Sequence, residues 1–342
     1  MLARVANPPN PFSATHVDWL GEPPRQSVEV YVDHTRDILS TNDSPDIPFR
    51  YSVNPYRGCF HGCAYCYARP THEYLSFGAG SDFDRRLVVK PEAAALLRTA
   101  FEKKSWVGEL VVFSGNTDCY QPLEASYGLT RACLQVCLDY RNPVGIITKA
   151  PLVERDVDVL AGLAREARVT VAVSIPFSDA AHARAMEPAV APPARRLQAV
   201  RRLAEAGVPV GVNVAPIIPG LNDSQMVEVL EQARAAGATF AGMTLLRLPG
   251  PVATVFEERQ RAALPDRAER ILNRVREARG GALYKGDFGT RMRGEGEYAG
   301  TIEALFKQTC KRLGYVSRQA PTPEAGTTFR RPVADSGQLS LF

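Results

Sequence analysis

The chain has 342 residues, 45% of them hydrophobic, and a formal net charge of +4. That suits one large α/β domain, or two smaller ones, with a sizeable core; the mild basicity permits a nucleic-acid partner without arguing for one. No apolar run approaches the ~20 residues needed to span a membrane, and the first residues show no signal-peptide core, so a cytoplasmic location is expected, with the seven cysteines reduced and available for metal or catalysis rather than disulfides.

Residues 1–46 are rich in Pro, Asp and Asn without periodicity and read as an irregular N-terminal extension. Phe49–Val53 is a short strand ending at Asn54-Pro55. The loop Cys59-Phe-His-Gly-Cys63-Ala-Tyr-Cys66 follows, then a short helix over Tyr67–Leu75. From there helices and strands alternate. Pro91–Lys103 is a helix with proline in its first turn, Glu109–Ser114 a strand, Thr130–Tyr140 a helix, Val144–Thr148 a strand and Val153–Glu166 a helix. Val169–Ile175 is a strand, Pro193–Ala206 a helix stopped by Gly207, Val208–Ile217 a strand and Ser224–Ala236 a helix stopped by Gly237. Phe240–Leu248 is the last strand, with helices around 254–262 and 266–279 after it.

Near-continuous apolar strands alternating with amphipathic helices predict a parallel sheet with crossover helices. Six such units suit a partial (β/α)6 TIM-type barrel over residues 47–282, with chemistry at the C-terminal ends of its strands. Residues 283–316 supply a glycine-rich closing loop and a helix over Ile302–Leu313. Residues 317–342 read as a disordered tail.

Cys59, Cys63 and Cys66 provide three thiols and no nearby fourth ligand. A structural zinc site wants four closed ligands, whereas a cubane cluster on three thiolates leaves one iron open. The motif therefore reads as a reactive iron–sulfur site, with a zinc knuckle as the bland alternative.

This spacing, in a loop after the first strand of a six-unit chain, resembles the radical S-adenosylmethionine (SAM) superfamily over roughly residues 48–250. The resemblance implies a [4Fe-4S] cluster whose open iron binds SAM, and cleavage of SAM to a 5′-deoxyadenosyl radical. It also implies cofactor contacts at successive strand ends: Tyr65 beside the adenine, Thr117 and Asp118 for the methionyl ammonium, Lys149 for its carboxylate, Ser174 for the ribose and Ala215 on an apolar shelf. Within the superfamily, Asn54-Pro55-Tyr56-Arg57-Gly58-Cys59, Thr117-Asp118, Lys149, Ser174 and Ala215-Pro216 are similar to the spore photoproduct lyase branch. That branch implies DNA as substrate, an electron donor such as flavodoxin or ferredoxin, and a radical relay through tyrosines at the positions of Tyr65 and Tyr67. The branch's hydrogen-donating cysteine is absent from its usual slot, which holds Gly115. Cys119, four residues later, is either a displaced donor or a bland loop residue.

Cys133 and Cys137 share a helix face and read as core, with an auxiliary cluster together with Cys119 or Cys310 as the alternative. His61 is expected to be exposed, and His72 to pack or cap the first helix. Lys285, Arg291 and Arg293 with Phe288 suit either phosphate contact or a solvated loop.

The last five residues, Gln338-Leu339-Ser340-Leu341-Phe342, resemble the peptide by which bacterial proteins bind the DNA polymerase sliding clamp. Three functions follow as expectations: a DNA-directed, lyase-like repair enzyme brought to the clamp; a radical enzyme acting on RNA, peptide or a small molecule; or a non-catalytic iron–sulfur adaptor. A mere sensor needs no methionyl or ribose contacts, which favours the first two.

Overall fold

A computed structural model describes residues 27–316 and 326–332. Two short strands, β1 (Glu29–Val32) and β2 (Leu39–Thr41), precede β3 (Tyr51–Val53) and β4 (Tyr56–Arg57). The cysteine loop follows, then a 3-10 turn over Arg69–Leu75, helix α1 (Ser81–Arg85), β5 (Arg86–Val89) and α2 (Ala93–Glu102). Then come β6 (Val111–Phe113), α3 (Glu124–Tyr127), α4 (Leu129–Asp139), β7 (Val144–Thr148), α5 (Val157–Glu166) and β8 (Val169–Ser174). The chain continues through α6 (Ala180–Met186), α7 (Pro193–Glu205), β9 (Val210–Ile217), α8 (Met226–Ala235) and β10 (Phe240–Leu245), and closes with α9 (Val252–Ala263), α10 (Ala268–Glu277) and α11 (Gly296–Leu313).

The main sheet has the order β10-β9-β8-β7-β6-β3-β2. Its six strands from β3 to β10 are parallel, each beside its predecessor, and β2 lies antiparallel on the β3 edge. This is the partial barrel the sequence predicts. Val111, Val171, Val212 and their neighbours are fully buried between sheet and helices, each such side chain stabilising the fold by about 1.5–3 kcal/mol. A second apolar cluster lies at the strands' C-terminal ends. There Cys63, Ala64 and Tyr65 pack with Met186 of α6, Phe256 of α9 and Ile271 and Leu272 of α10, so the cysteine loop is seated on a hydrophobic floor.

Three expectations are corrected. The extension is not irregular throughout: β1 pairs with β5, and β2 with β3. Both strands are short and largely exposed, and only around β1 is there a period-2 pattern, at Val28, Val30 and Val32. Tyr67–Leu75 forms a 3-10 turn over Arg69–Leu75 rather than an α-helix. Within the expected disordered tail, residues 326–332 pack on the domain. The Phe329 ring stacks on Tyr140 and meets Phe101 edge-on, and Gly108 (φ +77°) leaves the space it fills. The clamp-type peptide at 338–342 lies outside the described residues. Among the described residues no helix is long and apolar enough to cross a membrane.

Candidate active site

The cysteine loop begins at the end of β4, which follows the first barrel strand β3 in the chain and pairs antiparallel with β5 in a separate small sheet. Gly58 enters it at φ +70°, where a Cβ would lie 2.9 Å from both the His72 ring and the Phe83 carbonyl, so only glycine fits. The Cys59 N–H donates to the Phe83 carbonyl at 2.9 Å, and the Ala64 N–H to the Met186 carbonyl at 2.9 Å. All three thiols are free; Cys59 and Cys63 are buried and Cys66 is partly so. Burial pushes the Cys63 thiol up to about 12 and raises Cys59 and Cys66 as well. Iron binding would have to drive their deprotonation.

The chemistry of the donor set fits a cluster: three free cysteines on one loop are the soft thiolate ligands that iron–sulfur clusters take.

Around the loop the strand ends converge. Lys149, at the end of β7, places its ammonium 5.7 Å from the Tyr65 ring centroid, 3.5 Å from the Ala215 carbonyl and 3.9 Å from Glu187 Oε1. The Tyr65 hydroxyl donates to Glu187, which also pairs with Arg196. Arg196 in turn donates to the Ser174 carbonyl at 3.0 Å. Burial pushes the Glu187 carboxyl up, but Arg196, Lys149 and the Tyr65 hydroxyl outweigh it and hold the group below its usual value. Tyr65, Lys149, Ser174 and Ala215 are thus brought together through Glu187 and Arg196. Asn222, fully buried, accepts from the Ile218 N–H at 2.6 Å and donates to the Pro176 and Pro216 carbonyls at 2.6 and 3.0 Å, fixing the shelf at the ends of β8 and β9.

Thr117 and Asp118 sit beside the loop but are committed to holding it. The Thr117 hydroxyl donates to the Gly58 carbonyl at 2.6 Å. The Asp118 carboxylate accepts from the Thr148 hydroxyl and the Lys149 N–H, both at 2.7 Å, and from the Tyr120 N–H at 2.9 Å. His61 is buried, against expectation, with Nδ1 3.5 Å from Asp118 Oδ2. His72 packs edge-on against Phe83 with Nε2 2.7 Å from the Arg86 carbonyl, as expected of a packing residue.

Cys119 lies in the core. Its side chain is fully buried in the main core, in the same apolar cluster as Cys133, Leu134 and Cys137. Its N–H is held by the Ser114 hydroxyl at 3.0 Å and its carbonyl by Thr130 at 2.6 Å. A thiol packed among sheet and helix side chains is no accessible hydrogen donor. Tyr67 is different: it is 49% exposed, and its hydroxyl donates to the Gly115 carbonyl at 2.9 Å.

The cations of the glycine-rich loop are paired. Lys285 meets Glu295 at 2.6 Å, Arg291 meets Asp46 at 2.5 Å and Arg293 lies 3.7 Å from Glu303, so phosphate contact from these three is not favoured. Arg247, just past β10, carries no signal in the sequence. Its guanidinium lies 5.6 Å from the Tyr67 ring centroid and 3.6 Å from Met292 Sδ, its Nε is buried without a partner, and it forms no ion pair among the described residues.

Residues 53–233 match the model of the radical SAM superfamily. Uncharacterized proteins of Mycobacterium tuberculosis and Mycobacterium bovis are 42% identical over 204 residues, 59% of this chain and 59% of theirs. The chain therefore spans about three fifths of the length of these curated relatives. An uncharacterized protein of Methanocaldococcus jannaschii is 29% identical over 178 residues, 52% of this chain and 64% of that one. Among solved structures, a spore photoproduct lyase mutant with bound AdoMet and dinucleoside spore photoproduct shares the fold with a TM-score of 0.61 at 17% identity, over 84% of this chain and 80% of that one. Another mutant of that lyase gives 0.63 at 16% identity, over 89% and 88%.

Proposed function

The chain belongs to the radical SAM superfamily, with a [4Fe-4S] cluster and SAM as its cofactors, and we propose that it uses them on DNA, in a repair reaction of the photoproduct-lyase type. When bound, the cluster and SAM supply a 5′-deoxyadenosyl radical able to abstract a hydrogen atom. Cys59, Cys63 and Cys66 would hold the cluster. Lys149 would meet the methionyl carboxylate, with Tyr65, Ser174 and Ala215 lining the nucleoside; Thr117 and Asp118 keep the loop and the β7 end in register around it.

The observation that carries the DNA reading is the group at the barrel mouth. Tyr67 is half exposed with its hydroxyl on Gly115, and the guanidinium of Arg247, which makes no direct ion pair among the described residues, lies over its ring. A cation that forms no direct ion pair among the described residues, beside an aromatic face, suits a substrate that brings a phosphate and a base. Solved structures of the same fold hold a dinucleoside spore photoproduct, which is consistent with this choice.

Tyr67, not Cys119, is the hydrogen-returning residue in this reading. The phenolic O–H bond breaks as its hydrogen atom passes to the substrate radical and a C–H bond forms there. The tyrosyl radical left behind takes one electron from a flavodoxin- or ferredoxin-class donor and one proton from solvent. The C-terminal Gln338-Leu339-Ser340-Leu341-Phe342 would bring the enzyme to DNA through the sliding clamp.

Anaerobic 5′-deoxyadenosine formation by the reconstituted enzyme tests the substrate class. Stimulation by ultraviolet-irradiated DNA supports the proposal. Stimulation by RNA or peptide and not by any DNA points to the other enzyme reading, and no cleavage under strong reductant points to an adaptor.

A further inference from the structure

Two arginines are buried behind the cysteine loop. Arg69, on the 3-10 turn after Cys66, is fully buried and every guanidinium N–H is used. It donates to the Cys63 carbonyl through Nε (3.2 Å) and Nη2 (2.9 Å), to the carbonyls of Ala79 (2.9 Å) and Gly80 (2.7 Å) through Nη1, and to Asp84 Oδ1 at 2.9 Å. Arg259, on α9, is 5% exposed; it donates to the Gly62 carbonyl and to Asp84 Oδ2, and its Nε has no partner among the described residues. One carboxylate thus serves two guanidiniums, and arginine does not shed its charge. A net positive charge is left in a poorly solvated position, hydrogen-bonded to the backbone between two cluster cysteines.

Burying such a set is costly, and an apolar trio of similar volume would commonly be as stable. Stability alone therefore gives little account of it. A cluster on three thiolates is anionic and becomes more so on reduction, so a fixed cation nearby, poorly screened, favours the reduced state.

We infer that the Arg69–Asp84–Arg259 triad raises the reduction potential of the cluster and so eases its one-electron reduction, besides holding the Gly62–Cys63 backbone. This rests on cluster ligation by Cys59, Cys63 and Cys66 and not on the identity of the substrate.

The experiment is an EPR-monitored potentiometric titration of reconstituted full-length protein without SAM, with dithionite as the low-potential one-electron donor and iron content measured in parallel. Arg259→Met should shift the midpoint to more negative values, because it deletes a positive charge. Asp84→Asn should shift it to more positive values, because it deletes the negative one while keeping an acceptor. Arg259→Lys should leave it near wild type. A purely structural triad would lower iron content in each variant without opposite shifts. Shifts of the same sign, or none, in Arg259→Met and Asp84→Asn overturn the inference. Should Arg259→Met fail to fold, the sign of the Asp84→Asn shift decides alone.

Discussion

The Tyr67 hydroxyl donates to the Gly115 carbonyl at 2.9 Å, joining the residue after Cys66 to the segment that follows β6. Gly115 has little room for a side chain: a Cβ there would lie 3.1 Å from Ser52 Oγ and 3.4 Å from Asn54 Nδ2. The phenol thus stands over Gly115, which leaves no side chain between it and Ser52. Tyr67→Phe keeps the ring and removes only the O–H. It should leave 5′-deoxyadenosine formation within a few-fold of wild type and lower the yield of repaired product at least about tenfold, the loss for about 1.4 kcal/mol of transition-state stabilisation. Cys119→Ala should leave that yield near wild type. Chromatographic analysis of both products checks this; a large loss in Cys119→Ala alone would return the donor role to the thiol.

Arg247→Ala should weaken binding to short DNA about equally across sequences and reduce the slope of log K against log salt by about one, as expected when a single phosphate-binding cation is removed. Fluorescence anisotropy at several salt concentrations measures it. An unchanged slope would remove Arg247 from the interface.

Deleting residues 338–342 should abolish retention of the full chain by immobilised sliding clamp and leave SAM cleavage by the isolated enzyme unchanged. Equal retention with and without the five residues would sink recruitment by this peptide.

The strap at 326–332 should contribute to stability. Phe329 is 8% exposed against Phe101 and Tyr140. Phe329→Ala should lower unfolding free energy by about 3 kcal/mol, the low end of the range for buried phenylalanine. Urea denaturation followed by circular dichroism reads the shift in midpoint.

The barrel is legible because strands such as Val169–Ser174 are buried on both faces and so read as continuous apolar runs. The cysteines are legible by spacing, and Lys149 and Ala215 by their places at strand ends. The edge strand Glu29–Val32 does leave a period-2 trace, Val28, Val30 and Val32 alternating with Glu29 and Tyr31, but its residues are exposed and it lies inside a Pro-, Asp- and Asn-rich stretch that reads as irregular. Glu187, Arg69, Arg196, Arg247 and Arg259 escape a sequence reading because charged residues on helices and loops ordinarily face water. One signal is present. Arg196 falls on the buried stripe of Ala199, Val200 and Leu203 in α7, and Arg259 on that of Val252, Val255 and Phe256 in α9. An arginine in register with an apolar face is a cation the fold buries on purpose. Cys119 misleads for the opposite reason: its nearness in sequence to Gly115 suggests nearness to the site, whereas the turn after Asp118 carries its side chain into the core.

Photoproduct-lyase-type chemistry on DNA, as proposed for this chain, is read by mass-spectrometric product analysis of an oligonucleotide carrying a single defined thymine spore photoproduct, incubated anaerobically with reconstituted enzyme, SAM and reductant. The lesion should be converted to two adjacent thymines, dependent on Cys59, Cys63 and Cys66. An intact lesion alongside vigorous SAM cleavage would rule this chemistry out.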